Sequence, residues 1–156
     1  MTAKLLIVDD YTDTAELLSA LFTRSGLACD KASDVREAVE KFNAACDAGL
    51  PCYDAVVLDV DLPSASGLKL LQAIREVHPD IPIFFLTAYD NALLRQRARE
   101  GNADVDVKPL KDPESFVEKV SRAATEHQSS KTNIDHPRVI VPEVVEQMIA
   151  HSASSS

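Results

Sequence analysis

A chain of 156 residues is long enough for one domain with a self-sufficient hydrophobic core. Its net charge of -9 argues against general nucleic-acid binding, which depends on Lys and Arg neutralising phosphates. The sequence contains neither an apolar stretch near the roughly 20 residues that span a bilayer nor the features of a signal peptide, and three cysteines, an odd count, suit a reducing compartment. We therefore expect a cytoplasmic protein that binds neither nucleic acid nor membrane.

The chain begins with an apolar strand pattern over 4–8. A helical pattern follows over 12–25, and Gly26 is expected at the C′ position that ends it. The apolar face of this helix is assigned to Leu17, Leu18, Leu21 and Phe22. A short second strand is predicted at 27–31.

The second helix is expected to start after Ser33 as its N-cap and to end at the Gly-Leu-Pro sequence of 49–51. Its apolar positions are Val35, Ala38, Val39 and Phe42. The third strand, 55–58, is a continuous apolar run. A third helix follows a loop, ends at His78, and has an apolar side formed by Leu68, Leu70, Leu71 and Ile74.

A fourth strand is predicted at about 81–86, and Asp90 is expected to cap a short helix over 91–100. A fifth strand spans about 104–107, and Asp112-Pro113 has the N-cap and N1 pattern of a last helix. The alternation of strands and helices, with nearly continuous apolar central strands, predicts an α/β fold with a doubly wound parallel sheet covered on both faces.

These elements form one predicted domain over 1–127, and 128–156 is a C-terminal tail rich in Ser, Thr, Asn and His. Within the tail, Pro142 to Ala150 is amphipathic, with an apolar side of Val144, Val145, Met148 and Ile149. The tail is either weakly docked or disordered, or it is a partly ordered docking segment for a partner or the stub of a longer protein.

Polar side chains follow four of the predicted strands at the point where each one ends. Asp9 and Asp10 follow the first strand, Asp59 the third, Thr87 the fourth and Lys108 the fifth. Because parallel strands have their carboxyl ends along one edge of the sheet, ligands bind in the crevice there. We therefore expect these five side chains to share one pocket.

This set suits a divalent cation and a phosphoryl group. Carboxylates held close together repel one another unless a cation offsets their charge, and Mg²⁺ prefers oxygen ligands from a few carboxylates and phosphate groups. Asp10 and Asp59 would supply carboxylate oxygens, and Asp9 would act directly or through water. The backbone carbonyl of Asp61 would complete the protein's share of the ligands.

Asp59 is best placed to attack phosphorus, because it stands alone after the central strand and carboxylates serve as phosphoryl acceptors. Lys108 would neutralise charge, Thr87 would donate a hydrogen bond to a phosphoryl oxygen, and Ala88 is small enough to leave room. Structural explanations exist too: the acid pair could cap a helix, the threonine could satisfy a turn, and the lysine could be solvated. An acid directly after a buried strand at 59 needs a partner or a ligand.

The ordered series Asp9-Asp10, Asp59, Thr87 and Lys108-Pro109, with Leu62-Pro63 and Gly67 after the central acid, resembles that of response-regulator receiver domains of two-component signalling over about residues 2–126. The resemblance implies a flavodoxin-like sheet of order 2-1-3-4-5 with helices on both faces, a cis Lys108–Pro109 bond, and Mg²⁺-dependent phosphorylation of Asp59. It also implies a sensor histidine kinase or phosphotransfer protein as phosphoryl donor, and a switch rather than a turnover enzyme.

One position near the site departs from the usual receiver-domain sequence, and two others flank the acceptor. Receiver domains usually have Tyr or Phe three residues before the lysine, but this chain has Val105, so the usual aromatic readout is absent. Tyr89 either substitutes for that ring or is an exposed loop tyrosine. Asp61 and Tyr89 flank the acceptor and are expected to affect the access of hydrolytic water.

We expect output through a downstream protein partner rather than DNA, with a homodimer through the face formed by residues 91–127. One alternative is a receiver-like binding module that does not use phosphate. Another is a phosphatase of the haloacid-dehalogenase type, suggested by Asp59-Val-Asp61, although such enzymes need an acidic pair on a strand after the lysine.

Overall fold

The computed structural model describes residues 2–47, 53–130 and 139–154. Its strands are β1 (Lys4–Val8), β2 (Ala28–Ala32), β3 (Ala55–Leu58), β4 (Ile83–Thr87) and β5 (Ala103–Val107). Its helices are α1 (Thr12–Arg24), α2 (Val35–Asp47), α3 (Gly67–Val77), α4 (Ala92–Glu100), α5 (Pro113–Ser130) and α6 (Pro142–Ser154). No helix in these ranges is long and apolar enough to cross a bilayer.

The strands form one parallel sheet of order β2-β1-β3-β4-β5. This order confirms the predicted doubly wound, flavodoxin-like fold. Val8 pairs with Leu58 and Thr87 pairs with Val107, so strand ends that are far apart in sequence lie at the same edge. The sheet register therefore determines which polar residues meet.

Alternating side chains of the central strands fill two separate cores. On β1, Leu6 and Val8 face a core shared with α2, α3 and α6, whereas Leu5 and Ile7 face a core shared with α1 and α5. All four are at most 1% exposed. Because successive strand side chains point to opposite faces, a strand buried on both sides must be apolar throughout. This explains the continuous apolar runs and fixes the central strands rigidly.

Several element ends differ from the prediction. β4 starts at Ile83 rather than near 81, since Pro82 has no N–H for the ladder and contributes its carbonyl, which accepts from Val56. β2 covers Ala28–Ala32 rather than 27–31, β5 begins one residue earlier, at Ala103, and α1 ends one residue earlier, at Arg24. The predicted stop of the second helix at 49–51 lies outside the described residues.

Two predicted helix caps are wrong by one residue. The carboxylate of Asp34, not the Ser33 hydroxyl, accepts the Glu37 N–H at 2.8 Å in the first turn of α2. The Asn91 side chain caps α4 by accepting the Leu94 N–H, whereas Asp90 forms an ion pair with Arg95. In both cases two adjacent residues have side chains able to cap, and the second of them makes the capping hydrogen bond.

The C-terminal segment packs onto the domain. α5 continues to Ser130, beyond the predicted boundary at 127, and α6 lies against α2 and α3. In this part of the chain, Ile140, Val145 and Met148 are buried in the same core as β1 and β3. The apolar side predicted for 142–150 is therefore covered by the chain's own helices.

Leu17 was predicted on the apolar face of α1 but is 57% exposed, whereas Leu18 is only 2% exposed. The buried positions Ala15, Leu18 and Phe22 follow i, i+3, i+7 spacing, and Leu17 lies off that line. We expect Leu18→Ala to lower the free energy of unfolding by about 2–5 kcal/mol. Leu17→Ala, the matched exposed change, is expected to stay within about 0.5 kcal/mol. Urea-induced unfolding measures both, and equal losses would contradict this packing.

Candidate functional site

Hydrogen bonding at the sheet edge fixes the two buried acids. The ladder continues one residue beyond two strands: the Asp9 N–H donates to the Ala32 carbonyl at 3.0 Å, and the Asp59 N–H donates to the Val8 carbonyl at 2.9 Å. Each acid is thus held in strand geometry at the point where the helix layers no longer cover the sheet. Their carboxylates project into the crevice at the carboxyl ends of β1 and β3.

The carboxylates of Asp9, Asp10 and Asp59 form a cluster in which one oxygen of each lies within 4.8 Å of the others. Asp9 and Asp59 are buried, and Asp10 is exposed. Like charges this close disfavour one another, so the cluster requires a cationic partner. The hard oxygen donors and their spacing fit Mg²⁺, with one solvent-facing side through Asp10.

Lys108 provides a cation from the protein. Its Nζ lies 2.6 Å from Asp9 Oδ2 and 3.2 Å from Asp59 Oδ2, and its side chain is only 18% exposed. The Lys108 backbone N–H donates to the Thr87 carbonyl at 2.7 Å, and the peptide bond to Pro109 is cis, as the resemblance implies. One ammonium facing three carboxylates still leaves an excess of negative charge.

The pKa values of Asp59 and Lys108 are both raised, but for different reasons. Burial raises the pKa of Asp59, opposed by the Asp61 N–H and the Lys108 ammonium, and the charge of Asp9 raises it further. For Lys108, burial alone would lower the pKa, but the hydrogen bond to Asp9 and the charges of both carboxylates raise it above the ordinary value. The ammonium therefore stays charged at neutral pH.

The hydroxyl of Thr87 completes the crevice at the end of β4. Thr87 is fully buried, and its Oγ1 accepts the Tyr89 N–H at 3.2 Å, which leaves the hydroxyl proton free to be donated. Ala88 and Tyr89 follow it on the surface, and the Tyr89 side chain is 71% exposed. The structure therefore has Tyr89 as an exposed loop tyrosine.

Asp61 is two residues after Asp59, and Val105 occupies the position at which receiver domains usually have Tyr or Phe. The Asp61 N–H donates to Asp59 Oδ1 at 3.1 Å, and residue 61 is exposed. Its carboxylate is outside the three-acid cluster found in the described residues. Val105 is half-buried and packs against the core on the α3 side.

A feature absent from the sequence-based site is Tyr11. Its backbone N–H donates to Asp9 Oδ1 at 2.9 Å, and the Lys108 ammonium lies 5.9 Å from the centre of its ring. The ring is 68% exposed, at the mouth of the crevice. The sequence could have indicated Tyr11 as a site residue, because Tyr11 directly follows the acid pair Asp9-Asp10 at the end of β1.

The α3 helix contacts the site through its first residue. Ser66 caps the helix by accepting the Leu68 N–H, and the Gly67 N–H donates to the Val60 carbonyl at 2.8 Å. A Cβ on Gly67 would overlap the carbonyl oxygen of Asp59 and lie 3.1 Å from Val60 Cα. Glycine is required here because backbone packs directly on backbone.

Comparison with known proteins gives a consistent result. A family profile described as the response regulator receiver domain matches residues 5–121. A Haemophilus influenzae protein named transcriptional regulatory protein CpxR homolog is 31% identical over 139 residues, which are 88% of this chain and 57% of that protein. Response regulator protein PilR of Pseudomonas aeruginosa is 38% identical over 110 residues, 69% of this chain and 23% of that protein. This chain thus spans little more than half, or less, of these relatives.

Solved structures share the fold. The non-phosphorylated HemR receiver domain from Leptospira biflexa superposes with a TM-score of 0.69 at 27% identity, covering 85% of this chain and 98% of that one. A CheY-like receiver domain protein from Methanospirillum hungatei has a TM-score of 0.71 at 20% identity, covering 84% and 100%. At that identity the second match shows the fold alone.

Gly67→Ala tests the contact between α3 and the backbone that follows β3. Since the added Cβ meets backbone that cannot rotate away, we expect the free energy of unfolding to fall by about 1–3 kcal/mol. Gly101→Ala is the comparison, and we expect it to cost less, because the atoms nearest to its Cβ belong to the Leu71 side chain, which can shift more readily than backbone. Chemical denaturation compares the two, and a Gly67→Ala protein as stable as the wild type would contradict the close approach.

Proposed function

The chain belongs to the response regulator receiver domain family of two-component signalling, and from that premise we propose that Asp59 accepts a phosphoryl group from a phosphohistidine. The observation that carries the proposal is the ion pair of Lys108 with Asp9 and Asp59 inside a three-carboxylate cluster. The donor would be a sensor histidine kinase or a histidine phosphotransfer protein, with which receiver domains generally interact.

In the proposed reaction, an oxygen of the Asp59 carboxylate attacks phosphorus in line with the bond to the histidine nitrogen. The new P–O bond gives an aspartyl phosphate, the P–N bond breaks with its electron pair going to the ring nitrogen of the donor, and the leaving imidazole takes up a proton from water. Since Asp59 Oδ1 accepts from the Asp61 N–H and Oδ2 from Lys108, the carboxylate is held in one orientation before the donor arrives.

Residues around Asp59 supply the remaining chemistry. Asp9 and Asp10, with Asp59 and the Asp61 carbonyl, would hold Mg²⁺, which when bound offsets negative charge on the phosphoryl oxygens. The Lys108 ammonium adds a second positive charge and can follow the new phosphoryl oxygens from its present place on Asp59. The buried Thr87 hydroxyl donates to the same group.

We propose that the output is made through protein contacts. Leu93 is 58% exposed on α4 and Val107 is 38% exposed on β5, so the 91–127 face offers apolar surface for a homodimer or a downstream partner. Some relatives are named as transcriptional regulators, but the acidic balance of this chain does not favour phosphate contacts by the chain itself. Val105 in place of the usual ring means that any surface change must use other side chains.

Asp59→Asn tests the acceptor. We expect the wild type to gain the mass of one phosphoryl group on incubation with Mg²⁺ and acetyl phosphate, and Asp59→Asn to gain none, because an amide is a far weaker nucleophile. The matched control is Asp104→Asn, the same change at an exposed acid near the amino end of β5, which should be phosphorylated like the wild type. An unmodified wild type would instead support a binding module that does not use phosphate.

A stoichiometry measurement separates the switch from a phosphatase. Because Asp59 is consumed when it is phosphorylated, we expect a burst of at most one equivalent of released alcohol per chain from a chromogenic phosphate ester, followed only by the slow rate of aspartyl-phosphate hydrolysis. Steady turnover that survives in Asp59→Asn would contradict the proposal, as would steady turnover well above the measured hydrolysis rate of the isolated phosphoprotein.

A further inference from the structure

The α6 helix lies beyond the matched family region, which ends at residue 121, yet it is part of the folded domain. Ile140, Val145 and Met148 are 2%, 5% and 6% exposed, and they join the core formed by the sheet with α2 and α3. This burial argues that the docked position is a stable one rather than a surface encounter. It also raises the question of what the docking restrains.

Polar contacts attach α6 to both neighbouring helices. On α2, the Asn43 amide both donates to the Ile140 carbonyl at 2.7 Å and accepts the Ile140 N–H at 2.8 Å, and Arg36 forms an ion pair with Glu146 at 2.9 Å. On α3, the Lys69 ammonium donates to the Met148 carbonyl at 3.3 Å. The Lys69 contact differs from those made by α2 because Lys69 lies in the first turn of α3.

Lys69 is two residues after Gly67, in the first turn of α3. Gly67 packs against the Asp59 carbonyl with no space for a Cβ, and its N–H is bonded to Val60. Backbone contacts this close transmit displacement rather than absorb it. A short physical path therefore leads from the acceptor residue through the first turn of α3 to the Met148 carbonyl of α6.

We propose that α6 is an intramolecular latch whose docking through Lys69 opposes occupancy of Asp59 by a phosphoryl group. The inference rests on the function proposed above. The proposal involves two states. In the docked state, Lys108 bonds Asp9 and Asp59, and Lys69 bonds Met148. In the phosphorylated state, the first turn of α3 shifts and the Lys69 contact is lost. Phosphorylation would loosen α6 and uncover apolar surface on α2 and α3.

The sign follows from linkage. The Lys69 contact is present in the arrangement in which Asp59 is bonded to Lys108, and because the proposal has it lost in the phosphorylated state, it favours the unphosphorylated one. By reciprocity, any ligand that favours the other arrangement must weaken α6 docking by the same factor by which docking weakens the ligand. Removing the Lys69 contact should therefore tighten binding of a phosphoryl analogue.

The first test measures the affinity of the full chain for beryllofluoride in the presence of Mg²⁺. Lys69→Met keeps an unbranched stem but removes the donor, and we expect its affinity to rise about five-fold, at the lower end of usual allosteric couplings. Arg122→Met is the matched control, because it removes a cation whose ion pair with Glu118 lies within α5 and does not hold α6, and its affinity should equal that of the wild type. Circular dichroism checks that both variants fold.

The second test follows α6 directly. Beryllofluoride with Mg²⁺ should speed hydrogen exchange of the backbone amides of α6 in the wild type, and it should leave them unchanged in Asp59→Asn. Unchanged or weaker affinity in Lys69→Met, an equal gain in Arg122→Met, or unchanged exchange in α6 would each overturn the latch. If beryllofluoride does not bind the wild type at all, the phosphoryl-acceptor function fails and the latch fails with it.

Discussion

The position of the Lys108 ammonium between the Asp9 and Asp59 carboxylates governs the chemistry of this molecule. Without that cation, no positive charge from the protein would offset the repulsion between these neighbouring carboxylates. Their approach depends in turn on a sheet that places the ends of β1, β3 and β5 at one edge. The apolar strands therefore determine where the charged groups lie, and the ammonium offsets the repulsion between the carboxylates.

The excess negative charge left at the site supports the switch proposed above. A fully neutralised cluster would have little affinity for a further cation, whereas one ammonium against three carboxylates leaves negative charge that would attract Mg²⁺ and, through it, the phosphoryl group of the proposed reaction. The Asp59 carboxylate also remains bonded to groups that can move to a phosphoryl oxygen, since Lys108 Nζ is on a flexible stem. The site thus holds its nucleophile in place while keeping its counter-charge mobile.

Sequence patterns predicted the sheet, its helices and the residues of the cluster because each depends on local signals that add up. An acid directly after a buried apolar run, as at Asp59, is visible without any structure. The sequence could not show which of two adjacent residues caps a helix: Asp34 rather than Ser33 and Asn91 rather than Asp90 do so, and all four residue types are favoured caps. The place of Tyr11 over Lys108 is a long-range contact between residues 97 positions apart, which periodicity cannot report.

The position of α6 was the least predictable feature, and it changes how α3 should be regarded. From sequence, 142–150 was an amphipathic segment without an assigned surface, because apolar spacing says which side is buried but not against what. In the structure, α3 packs on the acceptor strand at Gly67 and on α6 at Lys69, so a single helical turn touches both. In the latch proposed above, a displacement of this turn at Asp59 would also change the Lys69 contact with α6.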